Sequence, residues 1–217
     1  MKMASRFLTL FCCVFSTSSV FAQFGVAWDK SPSITVVGAE DDSRHAHIEK
    51  GVAFWNKVLE EQSTAFRLGT ISRVSTVVPE SALSALSNAV VGSFGSGIGV
   101  PTELTTLKGD IIIYLAETPF VSFVSPFSGD GKRIVGIRGQ SGPPLNLPNV
   151  ALNLIAHELG HAIGIGHNSD GTSLMCGRPA SCRPDAFASN QERLFPITNQ
   201  ELSQIQRMYP ASWTAKK

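Results

Sequence analysis

The residues best placed to do chemistry are His157, Glu158, His161 and His167, which lie within one short stretch. If residues 157–161 are helical, the first two histidines project about 40° apart and can both direct a ring nitrogen at one ion. Zinc is commonly held by such imidazoles, and three protein ligands leave its fourth position open for water. A chain that turns back after the helix brings in the third histidine. The spacing therefore predicts a catalytic zinc site with these three histidines as ligands.

Glu158 has a separate role in this pattern, because it lies between the first two ligands. We predict that it accepts a proton from water, whose pKa the ion lowers towards roughly 7. The three histidines, this glutamate and Gly164 coincide by chance in about one window in ten million at average residue frequencies. A structural zinc site is the alternative, but such sites are usually closed by four ligands and rich in cysteine. The pattern therefore favours a catalytic site.

The elements that must hold these residues can be placed around them. A helix over residues 149–163 would carry the first two histidines on its last turns, and Gly164 would end it in a left-handed conformation. The near-continuous apolar run over residues 109–115 predicts a central strand that is buried on both faces. Residues 120–127 and 133–138 predict further strands around a turn at 128–131, one of them beside the cleft.

Weaker signals indicate the rest of the domain. Ser43 and the acidic residues before it precede an amphipathic helix, and Thr198 with Glu201 has capping-box spacing for a last helix. Residues 23–39 and 66–78 suit extended structure, whereas residues 81–91 fit either a helix or an irregular segment. The buried face of the first helix is predicted to consist of Ile48, Val52, Trp55, Val58 and Leu59. The glycine-rich residues 92–99 lack the Lys-Ser/Thr of a phosphate-binding loop and predict a flexible loop.

The N-terminus has the pattern of a secretory signal peptide. Lys2 and Arg6 precede an apolar run over residues 7–14, and Ala22 suits a cleavage before Gln23. The apolar run is too short for a permanent membrane anchor. We therefore predict a signal peptide at 1–22 and one catalytic domain at 23–217, since 217 residues with 43% hydrophobic content can bury one good core. A lipoprotein acylated at Cys12 or Cys13 is the alternative.

Loss of the signal peptide would leave 16 basic and 17 acidic residues, so the net charge would be about −1 with histidines neutral. Nucleic acid is therefore not an expected partner. Two cysteines would also remain, Cys176 and Cys182. In a chain bound for an oxidising compartment we predict a disulfide between them. Two free thiols, or two thiolates on a metal, are the alternative, because so short a loop demands suitable bridge geometry.

Residues 157–167 followed by Met175 resemble the signature of the metzincin zinc proteases, and in particular of their matrixin branch. The similarity to matrixins lies in Ser169-Asp170 after the third histidine and in the distance to the methionine. Astacins carry Glu and serralysins carry Pro after the third histidine, so neither fits. The resemblance extends loosely over residues 23–210, and only residues 157–175 are specific.

This resemblance implies an α+β fold, a metzincin-like twisted mixed sheet with packed helices, a zinc helix and a Met-turn. The cleft would run between an edge strand and the zinc helix, with Met175 beneath the three imidazoles as support rather than as a ligand. A peptide substrate would pair along the sheet edge while Glu158 deprotonates water and then protonates the leaving amine. The chain departs from the family in lacking a Pro-Arg-Cys-Gly-type propeptide cysteine, so no cysteine switch is expected. Residues 176–179 depart as well, and the Cys176–Cys182 loop is expected to reshape the specificity pocket.

Other metal sites have less support in the sequence. His45 and His47 flank one alanine near acidic residues, but polar residues are expected at the start of an amphipathic helix. Calcium sites are common in matrixins, and Asp130 or Asp170 could contribute oxygen ligands, yet no calcium site can be placed.

Together these features predict a zinc-dependent metalloendopeptidase, secreted or periplasmic after signal-peptide removal. The expected partner is a peptide or protein substrate, with no nucleic acid, no permanent membrane anchor and a monomeric state. The alternative is a catalytically silent secreted protein that binds zinc or peptides on the same fold. An intact Glu158 favours the enzyme, because a silent relative has no need of a general base.

Overall fold

A five-stranded sheet forms the centre of the part of the protein that the structure describes. The computed structural model describes residues 25–92, 98–142, 144–177, 181–182 and 192–216. The strands follow the spatial order β2-β1-β3-β5-β4, and they are β1 (Ile34–Val37), β2 (Ile71–Val74), β3 (Ile111–Leu115), β4 (Phe123–Val124) and β5 (Arg133–Ile137). Neighbours among β2, β1, β3 and β5 are parallel, and β4 is antiparallel to β5. The sheet is therefore mixed, as predicted.

Strand β3 is the central strand that the apolar run predicts. It lies between β1 and β5, and all five of its residues are buried. The edge strand β4 is much shorter than the predicted 120–127, because only two of its residues pair with β5. Pro119 and Pro126 bracket this region, and proline has no N–H to donate to a ladder.

In the described part of the chain four α-helices pack around the sheet, and they are α1 (Arg44–Glu61), α2 (Glu80–Gly92), α3 (Pro148–Ala162) and α4 (Asn199–Met208). A short 3-10 helix over Thr102–Leu104 precedes β3. The segment that the sequence left open, 81–91, belongs to α2, which buries Ala82, Leu83 and Leu86. Their spacing of one, three and four residues places them on one helical face.

The two faces of the sheet pack against different helices. Along β3, Ile111, Ile113 and Leu115 join the core shared with α1, α3 and α4. Ile112 and Tyr114 join a second core with α2. This alternation follows from the period of two in a strand, and it gives helix layers on both faces of the sheet.

Helices α1 and α3 pack tightly on the first face, and their contact positions the histidine-bearing helix. A Cβ on Gly51 would lie 2.8 Å from Leu159 Cδ1, so the glycine permits a close approach. Trp55 is fully buried, and its Nε1 donates to Ala156 O at 2.7 Å. A larger residue at position 51 would push the helices apart.

Asp42, one of the acidic residues predicted before α1, stabilises the N-terminus of this helix. Ser43 makes no side-chain capping bond, and Asp42 Oδ1 instead accepts from the Arg44 backbone N–H at 2.9 Å. Arg44 is itself buried, and its Nη1 donates to Ala116 O at 2.8 Å and to Arg138 O at 2.9 Å. These bonds tie the start of α1 to the ends of β3 and β5.

Several predictions fall on residues that the structure does not describe. They concern the signal peptide at 1–22 with Cys12 and Cys13, most of the glycine-rich loop at 92–99, and residues 178 and 179 of the segment after Met175. Within the described ranges, none of the helices combines the length and the apolar character needed to cross a membrane.

Candidate metal centre

The three predicted ligands meet at one point. His161 Nε2 lies 3.0 Å from His157 Nε2 and 2.9 Å from His167 Nε2, and the remaining pair is 3.2 Å apart. The first two histidines come from the last two turns of α3, and the third comes from the segment that follows it. Among the described residues this is the one group of three or more potential ligands that could hold a metal ion.

Hydrogen bonds on the far side of two rings fix where their protons lie. His157 Nδ1 is 2.8 Å from Leu174 O, and His161 Nδ1 is 2.7 Å from Ile165 O. A carbonyl oxygen only accepts, so each Nδ1 carries the hydrogen. In the neutral ring, Nε2 is then left with a lone pair directed at the common centre. This is the second-shell arrangement that orients metal-binding histidines.

The converging nitrogens fit a small cation. A tetrahedral zinc ion with Zn–N bonds of about 2.0–2.1 Å sets its ligand nitrogens about 3.3–3.4 Å apart, close to the separations found here. Burial, followed by the neighbouring His157 and His167, holds the pKa of His161 well below its ordinary value. A neutral imidazole is the form that binds a metal.

The site is open on one side. His157 and His161 are 6% and 4% exposed, and Glu158 is 5% exposed, whereas His167 is exposed. Glu158 stands one residue after the first ligand and three before the second, so it shares part of their helical face. The structure thus brings the predicted base into the same turn as the two helical ligands.

Gly164 makes the turn that returns the chain to the site. Its φ is +98°, the left-handed region predicted for it, and its N–H donates to His161 O at 2.9 Å. The next residue, Ile165, donates its N–H to Gly160 O at 2.9 Å. These bonds end α3 and start the return segment, residues 163–167, that leads to the third ligand.

Side chains from distant elements bind the last carbonyls of α3, and none of them is among the residues predicted for the site. Arg133 Nη1 donates to His161 O at 2.6 Å, and Trp28 Nε1 donates to Ala162 O at 2.8 Å. Tyr209 Oη donates to Ile163 O at 2.8 Å. Nothing local in the sequence links these donors to the helix end, because they lie between 28 and 134 positions away.

The segment after His167 is held by a cluster of polar groups. Ser173 Oγ and the Asp170 N–H donate to Asn168 Oδ1 at 2.9 and 2.7 Å, and Asn168 Nδ2 donates to the carboxylate of Glu201. Glu201 is 1% exposed and also accepts from the Thr198 backbone N–H, as the predicted capping box requires. One carboxylate therefore caps α4 and anchors the residue next to the third ligand.

Met175 is fully buried and packs against Gly160 of α3, the residue before the second ligand. A Cβ on Gly160 would lie 2.5 Å from Met175 Sδ and 2.6 Å from Trp55 Cζ2, so only glycine fits at this position. The Met175 carbonyl accepts from the Asn168 N–H at 3.0 Å. These contacts place the methionine against α3, and its support of the imidazoles stays a prediction.

The predicted disulfide between Cys176 and Cys182 is present, with the two Cα atoms 5.5 Å apart. Next to it, Gly177 donates its N–H to Asn168 O at 3.0 Å. A Cβ on Gly177 would lie 2.2 Å from Cγ of the His167 ring. The disulfide loop therefore begins in direct contact with the third ligand.

The other candidate metal ligands do not converge. His45 Nε2 contacts Ala39 O at 2.9 Å, and His47 lies two residues further along α1, so the two rings leave the helix in different directions. Asp130 pairs with Lys132 at 3.0 Å, and Asp170 Oδ1 accepts from the Thr172 N–H. Neither aspartate joins a ligand cluster among the residues described, so calcium remains unplaced.

Comparison with known proteins gives a distant structural likeness. No family model matches the chain, and no curated protein sequence matches it. The crystal structure of archaemetzincin from Methanopyrus kandleri aligns with 83% of this chain and 96% of that chain, at 13% identity and a TM-score of 0.43. A likeness at that level supports no transfer of function, so a function must be argued from the site itself.

Proposed function

We propose that the protein is a zinc-dependent metalloendopeptidase, similar to the matrixin branch of the metzincins. The observation that carries this proposal is the convergence of three Nε2 atoms within 3.2 Å of one another, with Glu158 between two of their residues. Three imidazoles suit zinc, and they leave the fourth position that catalysis needs. When bound, the zinc ion would supply Lewis acidity toward water and toward a peptide carbonyl.

Glu158 is the proposed general base and acid. It would accept a proton from the attacking water and then deliver that proton to the nitrogen of the departing amine, so the proton is conserved when the C–N bond breaks. Its place on α3, in the same turn as His157 and His161, supports this role. The helix keeps the carboxylate at a constant position relative to the ligands during both transfers.

The edge strand β4 is the proposed docking line for the peptide. It is the last strand in the sheet order, antiparallel to β5, and it lies beside α3. Strand addition at an edge gives affinity through main-chain hydrogen bonds and specificity through alternate side chains. The Cys176–Cys182 loop, which begins beside His167, is the proposed wall of the specificity pocket.

We also propose that the protein acts outside the cytoplasm, as a monomer. The disulfide supports this location, because disulfides persist in oxidising compartments and are rare in the cytosol. The signal-peptide pattern of residues 1–22 supports it independently. N-terminal sequencing of the protein recovered from the producing cells tests the cleavage before Gln23, and an intact Met1 would contradict it.

The activity is tested by incubating the purified protein with a mixed peptide library. Wild type should cleave internal peptide bonds, a chelator should stop cleavage, and added zinc should restore it. Glu158→Gln should bind one zinc ion per chain with cleavage reduced by about 1,000-fold, since removing a general base typically costs about 100- to 10,000-fold. Glu61→Gln is the matched control and should retain activity. Glu61 is an exposed glutamate at the C-terminal end of α1, where it pairs with Lys57.

The same experiment separates the enzyme from the silent alternative. A wild-type protein that binds zinc but leaves every peptide intact would be the binding protein rather than the protease. Cleavage that survives both the chelator and Glu158→Gln would refute the proposed mechanism. Both results are read from one digest, with zinc content measured on the same samples.

A further inference from the structure

Arg133 is a buried charge that the mechanism above does not use. It is the first residue of β5 and is 1% exposed. Its Nη1 donates to His161 O at 2.6 Å and, more weakly, to Ala162 O at 3.4 Å. The guanidinium carbon lies 4.2 Å from the centre of the Phe127 ring. The residue thus joins the sheet to the C-terminal end of the histidine-bearing helix.

A contribution to folding stability does not explain why Arg133 is buried. Arg133 makes no ion pair with a carboxylate among the described residues, and its Nε and Nη2 find no hydrogen-bond partner there. Burial lowers its pKa to about 10, so it remains charged at neutral pH. A buried charge without a counter-ion is costly, and an apolar side chain of similar volume often gives equal or greater stability.

The contact acts on the part of the chain that sets the metal geometry. His161 O accepts from both Arg133 and the Gly164 N–H, so the guanidinium braces the turn that begins the return segment. Ile165 O lies in that segment and receives the Nδ1–H of His161, which aims its Nε2 at the metal. A shift of the turn would therefore rotate the His161 ring and at the same time displace His167.

Direct electrostatics would work in the opposite direction. A guanidinium near a bound cation repels it, so any benefit of Arg133 to metal binding must come from position rather than from charge. Its charge is well placed for the helix itself, because a cation at a helix C-terminus complements the macrodipole. Trp28 and Tyr209 bind the next two carbonyls, which makes Arg133 the charged member of a three-donor cap.

We propose that Arg133 is a positioning residue for the metal centre, which fixes the second and third ligands through the end of α3. This inference rests on the zinc site of the proposed function. Removing second-shell partners of metal ligands typically weakens metal affinity by about 10- to 100-fold. We therefore expect the effect of losing Arg133 on zinc binding to exceed its general effect on folding.

Arg44 is a matched control for the substitution. It is also buried, at 2% exposure, and it donates to two main-chain carbonyls, one of them Arg138 O just after the last residue of β5. Arg133 begins the same strand, so the two arginines act at its opposite ends. Unlike Arg133, Arg44 is ion-paired, with Asp42 and Glu117, so Arg44→Met removes a buried guanidinium together with its ion pairs without touching the end of α3.

The test measures zinc affinity by competition with a chromophoric chelator and thermal stability after zinc removal. Arg133→Met should weaken zinc binding by about 10-fold or more. Arg44→Met should lower the melting temperature at least as much while keeping zinc affinity within about twofold of wild type. Arg133→Lys, which keeps the charge but not the planar fork, should be intermediate. The visible spectrum of the cobalt-substituted protein should shift in both Arg133 variants, because ligand directions change.

Wild-type affinity and an unchanged cobalt spectrum in Arg133→Met would overturn the inference, as would tighter zinc binding or an equal loss in Arg44→Met. If Arg133→Met does not fold, Arg133→Lys decides in the same way, by its affinity and spectrum. A wild-type protein that binds no zinc overturns this inference and the proposed function together. One that binds zinc without cleaving peptides removes only the proposed activity and leaves the role of Arg133 measurable.

Discussion

The three metal ligands come from two unlike regions of the molecule. His157 and His161 lie on α3, are almost fully buried, and have their tautomers set by main-chain carbonyls. His167 is exposed and lies on a loop, the segment 167–177, that has little regular structure. The positions of His157 and His161 relative to each other are set by α3 alone. The third ligand depends on contacts from Asn168, Glu201 and Gly177.

This difference indicates how stability and metal binding are divided. The helical ligands lie on α3, whose Ile155, Ala156 and Leu159 belong to the main core together with Trp55 and Met175. Disturbing this helix should therefore cost folding free energy first. Residues 167–172 of the loop are exposed or half-buried, whereas residues 173–177 are buried. Disturbing His167, which lies in the exposed part, should therefore cost metal affinity first. Substitutions in the two regions should therefore separate the two measurements.

The largest effect is expected on the helical side, for Gly160→Ala. Its Cβ would stand 2.5 Å from Met175 Sδ and 2.6 Å from Trp55 Cζ2, and both side chains are fully buried. Overpacking should lower the free energy of unfolding by about 3 kcal/mol, despite the better helix propensity of alanine. Chemical denaturation of the metal-free protein measures it. Gly129→Ala, where a Cβ meets nothing within 4 Å, is the control, and an equal loss there would contradict the packing argument.

On the loop side, Gly177→Ala should act on the metal rather than on the fold. The new Cβ would lie 2.2 Å from Cγ of His167, so the ring must shift from the position in which it meets the other two ligands. We expect zinc affinity to fall by about 100-fold, at the upper end of second-shell effects. Chelator competition measures it, alongside the denaturation midpoint of the metal-free protein. A large loss of unfolding free energy with normal zinc binding would contradict the expectation that this loop acts on metal affinity rather than on the fold.

Removing the disulfide should have a smaller effect on the same loop. The bridge spans a sequence separation of 6, and the chain-entropy model gives about 2 kcal/mol for so short a loop. The double variant Cys176→Ser, Cys182→Ser should lose about that much unfolding free energy and bind zinc several-fold more weakly. Wild type treated with a reductant should behave like the variant. Reduced and oxidised wild type with identical stability and affinity would show that the loop does not need the bridge.

Most of the helical half of the site can be predicted from sequence. The spacing of four residues fixes the relation of His157 to His161, and the glycine after the helix predicts the left-handed turn found at +98°. The run of residues 111–115 likewise predicts the central strand, because a continuous apolar stretch suits burial on both faces. In each case the signal is local, and one element carries it.

The rest of the site depends on contacts that sequence patterns do not encode. Arg133, Trp28 and Tyr209 bind consecutive carbonyls at the end of α3 from three separate parts of the chain. Glu201 was identified only as a helix cap, and its bond to Asn168 depends on how α4 packs. The edge strand β4 was predicted too long, because strand propensity gives no measure of where pairing stops.

The smallest effect is expected for Asn168, the residue that links the third ligand to α4. Asn168→Ala removes the donor to the carboxylate of Glu201, which is 1% exposed, and should cost about 1 kcal/mol of unfolding free energy. Asn168→Asp keeps the shape but sets a second carboxylate against the first, so at neutral pH it should cost more than the alanine variant. Denaturation of both variants across pH measures the difference.

The sign of that pH dependence separates the charge from the lost bond. The repulsion in Asn168→Asp needs both carboxylates ionised, so its excess loss over Asn168→Ala is present at neutral pH. It should disappear at acid pH, where the carboxyl group introduced at position 168 carries a proton. The loss in Asn168→Ala involves no added charge and should change much less. If the aspartate variant is no less stable than the alanine variant at neutral pH, then Glu201 is not the group that holds this loop.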